Sequence, residues 1–175
     1  MTSKSNVGTF LGGFAKILEK QWQCDVRLRA MDSDEGAYIS AHKLVLVYIY
    51  DYRKNTVKTS AKLETVTLSE MKHEEVEALV EFIYSDGSTL SAKGRQNARS
   101  LFIAAHKYEI MHLRDLCRIK LAFSVDLTNA LDVYKLSLIP YERYLNIAAS
   151  EILRRLLLLK SLSCSSTRIQ ILLWR

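Results

Sequence analysis

The sequence is poor in residues that interrupt or cross-link a chain. It has one Pro and six Gly in 175 residues, which excludes a fibrous or low-complexity protein and favours long helices over a loop-rich sandwich. Its cysteines are odd in number and far apart in the chain: Cys24, Cys117 and Cys164. We therefore expect no disulfide framework and a reducing compartment.

The sequence also lacks a long hydrophobic run and a dense basic patch. Its strongest apolar run, Leu156–Leu159, is far too short to cross a bilayer, and residues 1–10 lack the apolar core of a secretion signal. The net charge is +6, but residues 151–175 hold five Lys or Arg against one Glu, a net of +4. Since the rest of the chain is nearly balanced, we expect neither nucleic acid nor a membrane as a partner.

Hydrophobic periodicity predicts an α+β protein. An apolar helical face over about residues 7–22 predicts an N-terminal helix. Strict alternation over Cys24–Ala30 predicts a half-buried strand, and Ala37–Ser40 and Glu64–Leu68 predict two more. From Lys72 onward, five apolar stripes predict helices. Those stripes are Val76/Leu79/Val80/Ile83, Ala98/Leu101/Phe102/Ala105, Leu113/Leu116/Cys117/Leu121, Leu127/Ala130/Leu131/Tyr134 and Leu145/Ala148/Ala149/Ile152/Leu156.

No catalytic or metal-binding motif is complete. His73 begins a zincin-like helix, but Glu77 stands where the second His ligand is needed, so an acidic first helical turn is the better interpretation. A Cys–His nucleophile would require Cys24 or Cys117 to meet a histidine in the folded chain. Both cysteines lie on apolar faces, which favours burial of an unreactive thiol. We expect no enzyme, no metal and no cofactor.

Five motifs, in order, resemble one family. They are Trp22–Leu28 (WQCDVRL), Ser40–Leu46 (SAHKLVL), Val66–Met71 (VTLSEM), Leu79–Gly87 (LVEFIYSDG) and Leu101–Ile110 (LFIAAHKYEI). The sequence resembles the BTB/POZ family, closest to its short plant-type members. The resemblance implies a small sheet of about three strands capped by helical hairpins, followed by an α-helical extension. From the resemblance we expect a BTB/POZ domain over residues 1–123, a BACK-like extension over 124–158 and a poorly ordered tail over 159–175.

The resemblance also implies a function. Members self-associate, and many bind cullin-3 as substrate adaptors of a ubiquitin ligase in the cytoplasm or nucleus, so the implied partners are cullin-3, a second copy and an unidentified substrate protein. Tyr84 matches a position that often touches the cullin, and Asp25 matches a buried structural aspartate of the family. His42 and Lys43 match the turn that opens the next helix. The candidate dimer contacts lie on the N-terminal helix: Phe10, Leu11, Phe14 and Leu18.

One segment departs from the family pattern. Residues 47–62 replace the usual small residues and Arg-Ser with a Tyr-rich stretch, and Ile49 stands where the family's Arg would accompany Asp25. This departure leaves a second interpretation open, a homodimerising scaffold that no longer binds cullin.

Overall fold

The computed structural model describes residues 13, 15–34, 36–48, 64–138 and 142–173, except for the side chains of residues 47, 48, 64 and 159–173. Its elements are α1 (residues 15–19), β1 (Val26–Ala30), β2 (Ile39–Ala41), a 3-10 helix (Val45–Tyr48), β3 (Glu64–Leu68), α2 (His73–Tyr84), α3 (Ala92–Gln96), α4 (Ala98–Lys107), α5 (Met111–Phe123), α6 (Ala130–Leu136) and α7 (Arg143–Leu173). Most of the Tyr-rich segment 47–62 lies outside the described residues. None of the described helices is long and apolar enough to span a membrane.

The three strands form one sheet in the order β2-β1-β3. β1 pairs antiparallel with β2, with Val26 opposite Ala41, and parallel with β3, with Ala30 opposite Leu68. Alternate residues of the central strand are buried, as its sequence pattern predicts. The predicted α+β fold with a small three-stranded sheet is therefore confirmed.

Helix α2 packs on β1 and β2 through its apolar stripe, in which Val76, Leu79 and Val80 are buried. Its first turn is fixed by a residue that follows β1, because the Asp32 carboxylate accepts the backbone N–H of His73 at 2.7 Å. The helix ends at the Ser-Asp-Gly turn, where Gly87 takes a φ of +67° that other residues rarely adopt. The predicted helix and its stop signal are both confirmed.

The helix α3 was not predicted, because five residues are too short to show a helical period. Its signal is local: the Ser91 hydroxyl oxygen accepts the backbone N–H of Gly94 at 3.0 Å and so caps the first turn. The stripes of α4 and α5 are buried as predicted, with Leu101, Phe102 and Leu113 at 0% exposure.

The chain divides into two compact units, residues 1–117 and 118–175. In the second unit α6 packs against α7, with Ala130, Val133, Leu136, Leu145 and Ala149 buried. The predicted stripe through Leu127 and Leu131 is wrong, since both are more than half exposed. For Leu127 the reason is local, because the Asp126 carboxylate accepts the backbone N–H groups of Thr128 and Asn129. This turn delays the helix start until Ala130. Leu131 lies inside α6 but on the face opposite to the buried Val133 and Leu136.

The final helix runs further than predicted. α7 continues to Leu173, past the end of the predicted extension at residue 158, because residues 159–173 contain no Pro or Gly to stop it. The side chains of residues 159–175 lie outside the described residues. The predicted domain boundaries and the poorly ordered tail stay predictions.

Candidate interaction site

The three motif residues assigned a structural role lie together where β1 begins and β2 ends. The Asp25 carboxylate oxygen Oδ1 accepts the backbone N–H of Lys43 at 2.7 Å, which holds the turn before the 3-10 helix in the manner of a helix cap. The expectation that Asp25 is buried is wrong, because this residue is exposed. It precedes the first residue of β1, Val26, so its carboxylate faces the Lys43 backbone instead of the core.

The side chain of His42 links the segment after α1, the end of β2 and the end of α2. Its Nε2 lies 2.8 Å from the backbone carbonyl oxygen of Trp22, and since a carbonyl can only accept, Nε2 carries the proton. Nδ1 is then the acceptor for the Tyr84 hydroxyl, 2.7 Å away. The same hydroxyl oxygen accepts the backbone N–H of His42 at 2.8 Å. We call Trp22, His42 and Tyr84 the His42 network.

Tyr84 is a core residue of this network. It is only 2% exposed, and burial raises the pKa of its hydroxyl to about 12, so the phenol keeps its proton at neutral pH. The prediction that Tyr84 touches cullin stays a prediction; in this structure its hydroxyl positions the turn after β2.

Two large apolar side chains are exposed beside the His42 network. Leu44, two residues after His42, is 84% exposed, and Trp22, whose carbonyl the network binds, is 60% exposed. Single exposed apolar residues are ordinary on protein surfaces. Here the Trp22 backbone is bound by His42, and Leu44 lies in a turn whose following residues, Val45 and Leu46, donate to the His42 carbonyl, so both anchors leave an ordered backbone. We call Trp22, His42, Leu44 and Tyr84 the apolar corner.

The cysteine beside the apolar corner is not an activated nucleophile. Cys24 Sγ lies 3.9 Å from Nε2 of His42, so the sequence-based possibility of a Cys–His pair is realised in distance. However, burial and then the Asp25 charge raise the pKa of the Cys24 thiol, and Nε2 already donates to the Trp22 carbonyl. Cys117 is fully buried, and burial raises the pKa of its thiol to about 12. Neither thiol ionises at neutral pH.

A groove of about 540 Å³ lies between α1, α2 and α3 in the first unit. Its floor is apolar and includes Leu18, Ile39 and Val80. Leu18, one of the four candidate dimer contacts, is half-buried at this groove. Phe10, Leu11 and Phe14, the other three, lie outside the described residues.

The zincin-like pair consists of His73 and Glu77, and Glu77 lines this groove. The two side chains contact each other, and Glu77 also contacts Lys93. His73 Nε2 is 3.4 Å from the Glu77 carboxylate, and Lys93 Nζ is 2.5 Å from it. The hydrogen bond from Lys93 is the main cause that lowers the pKa of Glu77. Among the described residues, no group of three or more His, Cys, Asp or Glu side chains could hold a metal ion.

Comparison with known proteins agrees with this geometry. The sequence-family model of the BTB/POZ domain matches residues 14–124 of this chain. This span contains the sheet, the apolar corner and the groove. The chain belongs to the BTB/POZ family. Two relatives from Arabidopsis thaliana support this. The BTB/POZ domain-containing protein At2g40440 is 57% identical over 155 residues, which cover 85% of this chain and 94% of the relative. At5g48510 is 55% identical over 152 residues, which cover 83% and 68%.

Membership assigns a general role to the site. BTB/POZ domains are protein-interaction modules, so this BTB/POZ chain carries such a module. The sequence motifs located Asp25, His42, Lys43 and Tyr84, which the structure brings together within hydrogen-bond distance of one another or of shared partners. Sequence reasoning missed the Trp22 carbonyl and the whole α3 wall of the groove. A backbone acceptor has no sequence signal, whereas the Ser91 cap could have indicated α3.

Proposed function

We propose that this BTB/POZ protein is a substrate adaptor of a cullin-3 RING ubiquitin ligase, acting in the cytoplasm or nucleus by docking. It binds cullin-3 on one surface and a substrate protein on another, and it needs no cofactor and catalyses no reaction. The observation that supports this most strongly is the apolar corner, where Trp22 and Leu44 are exposed on a backbone that the family motif residues His42 and Tyr84 help to order. Nucleic acid and membranes are not partners in this proposal.

The role of each corner residue follows from its exposure. Leu44 and Trp22 supply the apolar contact area, since a few exposed anchors usually dominate the free energy of such an interface. His42 and Tyr84 act behind them as positioning residues. Asp25 keeps the Lys43 backbone in place, so that Leu44 leaves the turn in one direction.

The test is binding to the N-terminal domain of cullin-3, measured by isothermal titration calorimetry. We expect Leu44→Asp to weaken binding by about 100-fold, as truncation or charging of a hot spot does. Met31→Asp is the matched control, because Met31 is 59% exposed and lies six residues from Asp25, about 20 Å along β1. Equal losses for both variants, or unchanged binding by Leu44→Asp, would remove the apolar corner from the proposal.

A second candidate is a homodimerising scaffold that does not bind cullin. It is favoured by the family departure in residues 47–62 and by Leu18, a candidate dimer contact that is only half-buried on α1. Sedimentation equilibrium separates the two functions. A dimer that fails to bind cullin supports the scaffold, and a dimer that survives deletion of residues 1–20 would show that the N-terminal segment is not the dimer contact.

A further inference from the structure

The groove between α1, α2 and α3 carries a charge opposite to that of the chain. The protein has a net charge of +6, yet three carboxylates, Glu19, Glu77 and Glu81, line this groove with one cation, Lys93. Under them lies the apolar floor at Leu18 and its neighbours. The groove volume of about 540 Å³ is within the range of about 300–1,000 Å³ that is common for ligand sites.

We call the three carboxylates of Glu19, Glu77 and Glu81 the rim of the groove, and the single cation, Lys93, does not neutralise them. Lys93 Nζ lies 2.5 Å from the Glu77 carboxylate, so these two charges compensate each other. Glu81 accepts a hydrogen bond of 2.8 Å from the Ser91 hydroxyl, which orients its carboxylate without cancelling its charge. Neither Glu19 nor Glu81 forms an ion pair with another residue that the structure describes. Lys93 also interacts electrostatically with Glu81, so one cation faces three carboxylates and the groove keeps a net negative charge above its apolar floor.

We propose that this groove binds a basic amphipathic helix of a partner protein. Leucine-like side chains at i, i+3 or i+4 and i+7 would cover the floor, which is the usual way an amphipathic helix enters a groove. Lysine or arginine side chains on its flanks would face Glu19 and Glu81, and this complementarity gives specificity and speeds association. The same carboxylates repel phosphate groups, which disfavours nucleic acid and acidic lipid as occupants.

The proposal extends the proposed adaptor function, because it assigns the surface that holds the partner to be modified. It does not depend on cullin binding, because Leu44 is not among the residues that line the groove, although Tyr84 lies behind both surfaces. The two can therefore fail independently. Leu44→Asp is expected to weaken cullin binding by about 100-fold and leave groove binding unchanged, whereas changes at the rim of the groove are expected to weaken peptide binding and leave cullin binding unchanged.

The experiment uses the full chain and a fluorescent, end-capped peptide with Leu at i, i+3, i+4 and i+7 and Lys elsewhere, followed by anisotropy. Two reference peptides have the same composition in scrambled order, or Glu in place of Lys. We expect saturable binding of the first peptide alone, weakening as salt increases. Ala92→Trp, which fills the groove from an exposed position, is expected to abolish it.

Charge variants separate the rim from general electrostatics. Glu81→Lys is expected to weaken the peptide by about tenfold or more. Glu81→Gln, which keeps an acceptor for Ser91, is expected to weaken it less. Glu109→Lys, an equally exposed charge reversal outside the groove, is expected to change little. Binding of the scrambled peptide with equal affinity, or equal effects of Glu81→Lys and Glu109→Lys, would overturn the proposal. It would also be overturned if Ala92→Trp dissociates a dimer while the peptide does not bind, because the occupant would then be a second copy.

Discussion

Removal of the Tyr84 hydroxyl is the sharpest perturbation of the apolar corner. Tyr84→Phe deletes one oxygen atom that accepts the backbone N–H of His42 at 2.8 Å and donates to its Nδ1 at 2.7 Å. A buried donor left without a partner costs about 1–3 kcal/mol. Nδ1 belongs to a half-buried residue, so water replaces part of its lost bond. We expect the free energy of unfolding to fall by about 2 kcal/mol, which is mostly the cost of the unpaired N–H.

The assay is urea unfolding at neutral pH, compared at equal m-value. Tyr38→Phe is the matched control, because Tyr38 is 40% exposed, its ring lies under the Arg27 guanidinium, and its hydroxyl bonds no other described residue. This control is expected to stay within about 0.5 kcal/mol of wild type. If Tyr84→Phe also stays within that range, the His42 network does not hold the corner and the positioning role of Tyr84 is refuted.

Two further predictions concern charges and thiols. Asp25→Ala is expected to lower the free energy of unfolding in urea by about 1 kcal/mol, because the Lys43 N–H loses its carboxylate acceptor. Asp25→Asn keeps an acceptor oxygen there and is expected to cost less. Equal costs for the two variants would show that this bond is unimportant. Cys117 makes the free energy of unfolding depend on pH. Burial raises the pKa of its thiol in the folded chain to about 12, from an ordinary value of 9.0. Its contribution to stability is therefore complete below pH 9 and is lost as pH rises toward 12. At pH 10 wild type is expected to lose about 1.4 kcal/mol relative to pH 8 beyond the loss in Cys117→Ala, and parallel pH profiles of the two proteins would contradict this.

The parts of the fold that periodicity predicts are those where one face of an element is buried. Alternation in β1 and the stripe of α2 follow from burial of Val26, Leu28 and Leu79, and the structure places these at 0–1% exposure. The end of α2 was predictable because Gly87 needs a positive φ. These signals are local, and each is contained in one element.

The remainder depends on contacts that the sequence does not display. His42 and Tyr84 are 42 residues apart in the chain, and the carbonyl of Trp22 joins them through its backbone, so the His42 network has no sequence pattern. Family motifs located His42 and Tyr84 but not their contacts, and the motif position that implies a buried Asp25 holds an exposed one. Conversely, Leu127 continued an apolar period across a turn that the Asp126 carboxylate forms.

The central claim is that this BTB/POZ chain docks on cullin-3, and the most direct measurement is calorimetric titration of the wild-type chain with the cullin-3 N-terminal domain. Urea unfolding of the same preparation establishes that it is folded and cooperative. The account predicts saturable binding with one cullin domain per chain. A cooperatively folded chain that releases no heat and does not co-elute with the cullin domain would contradict it.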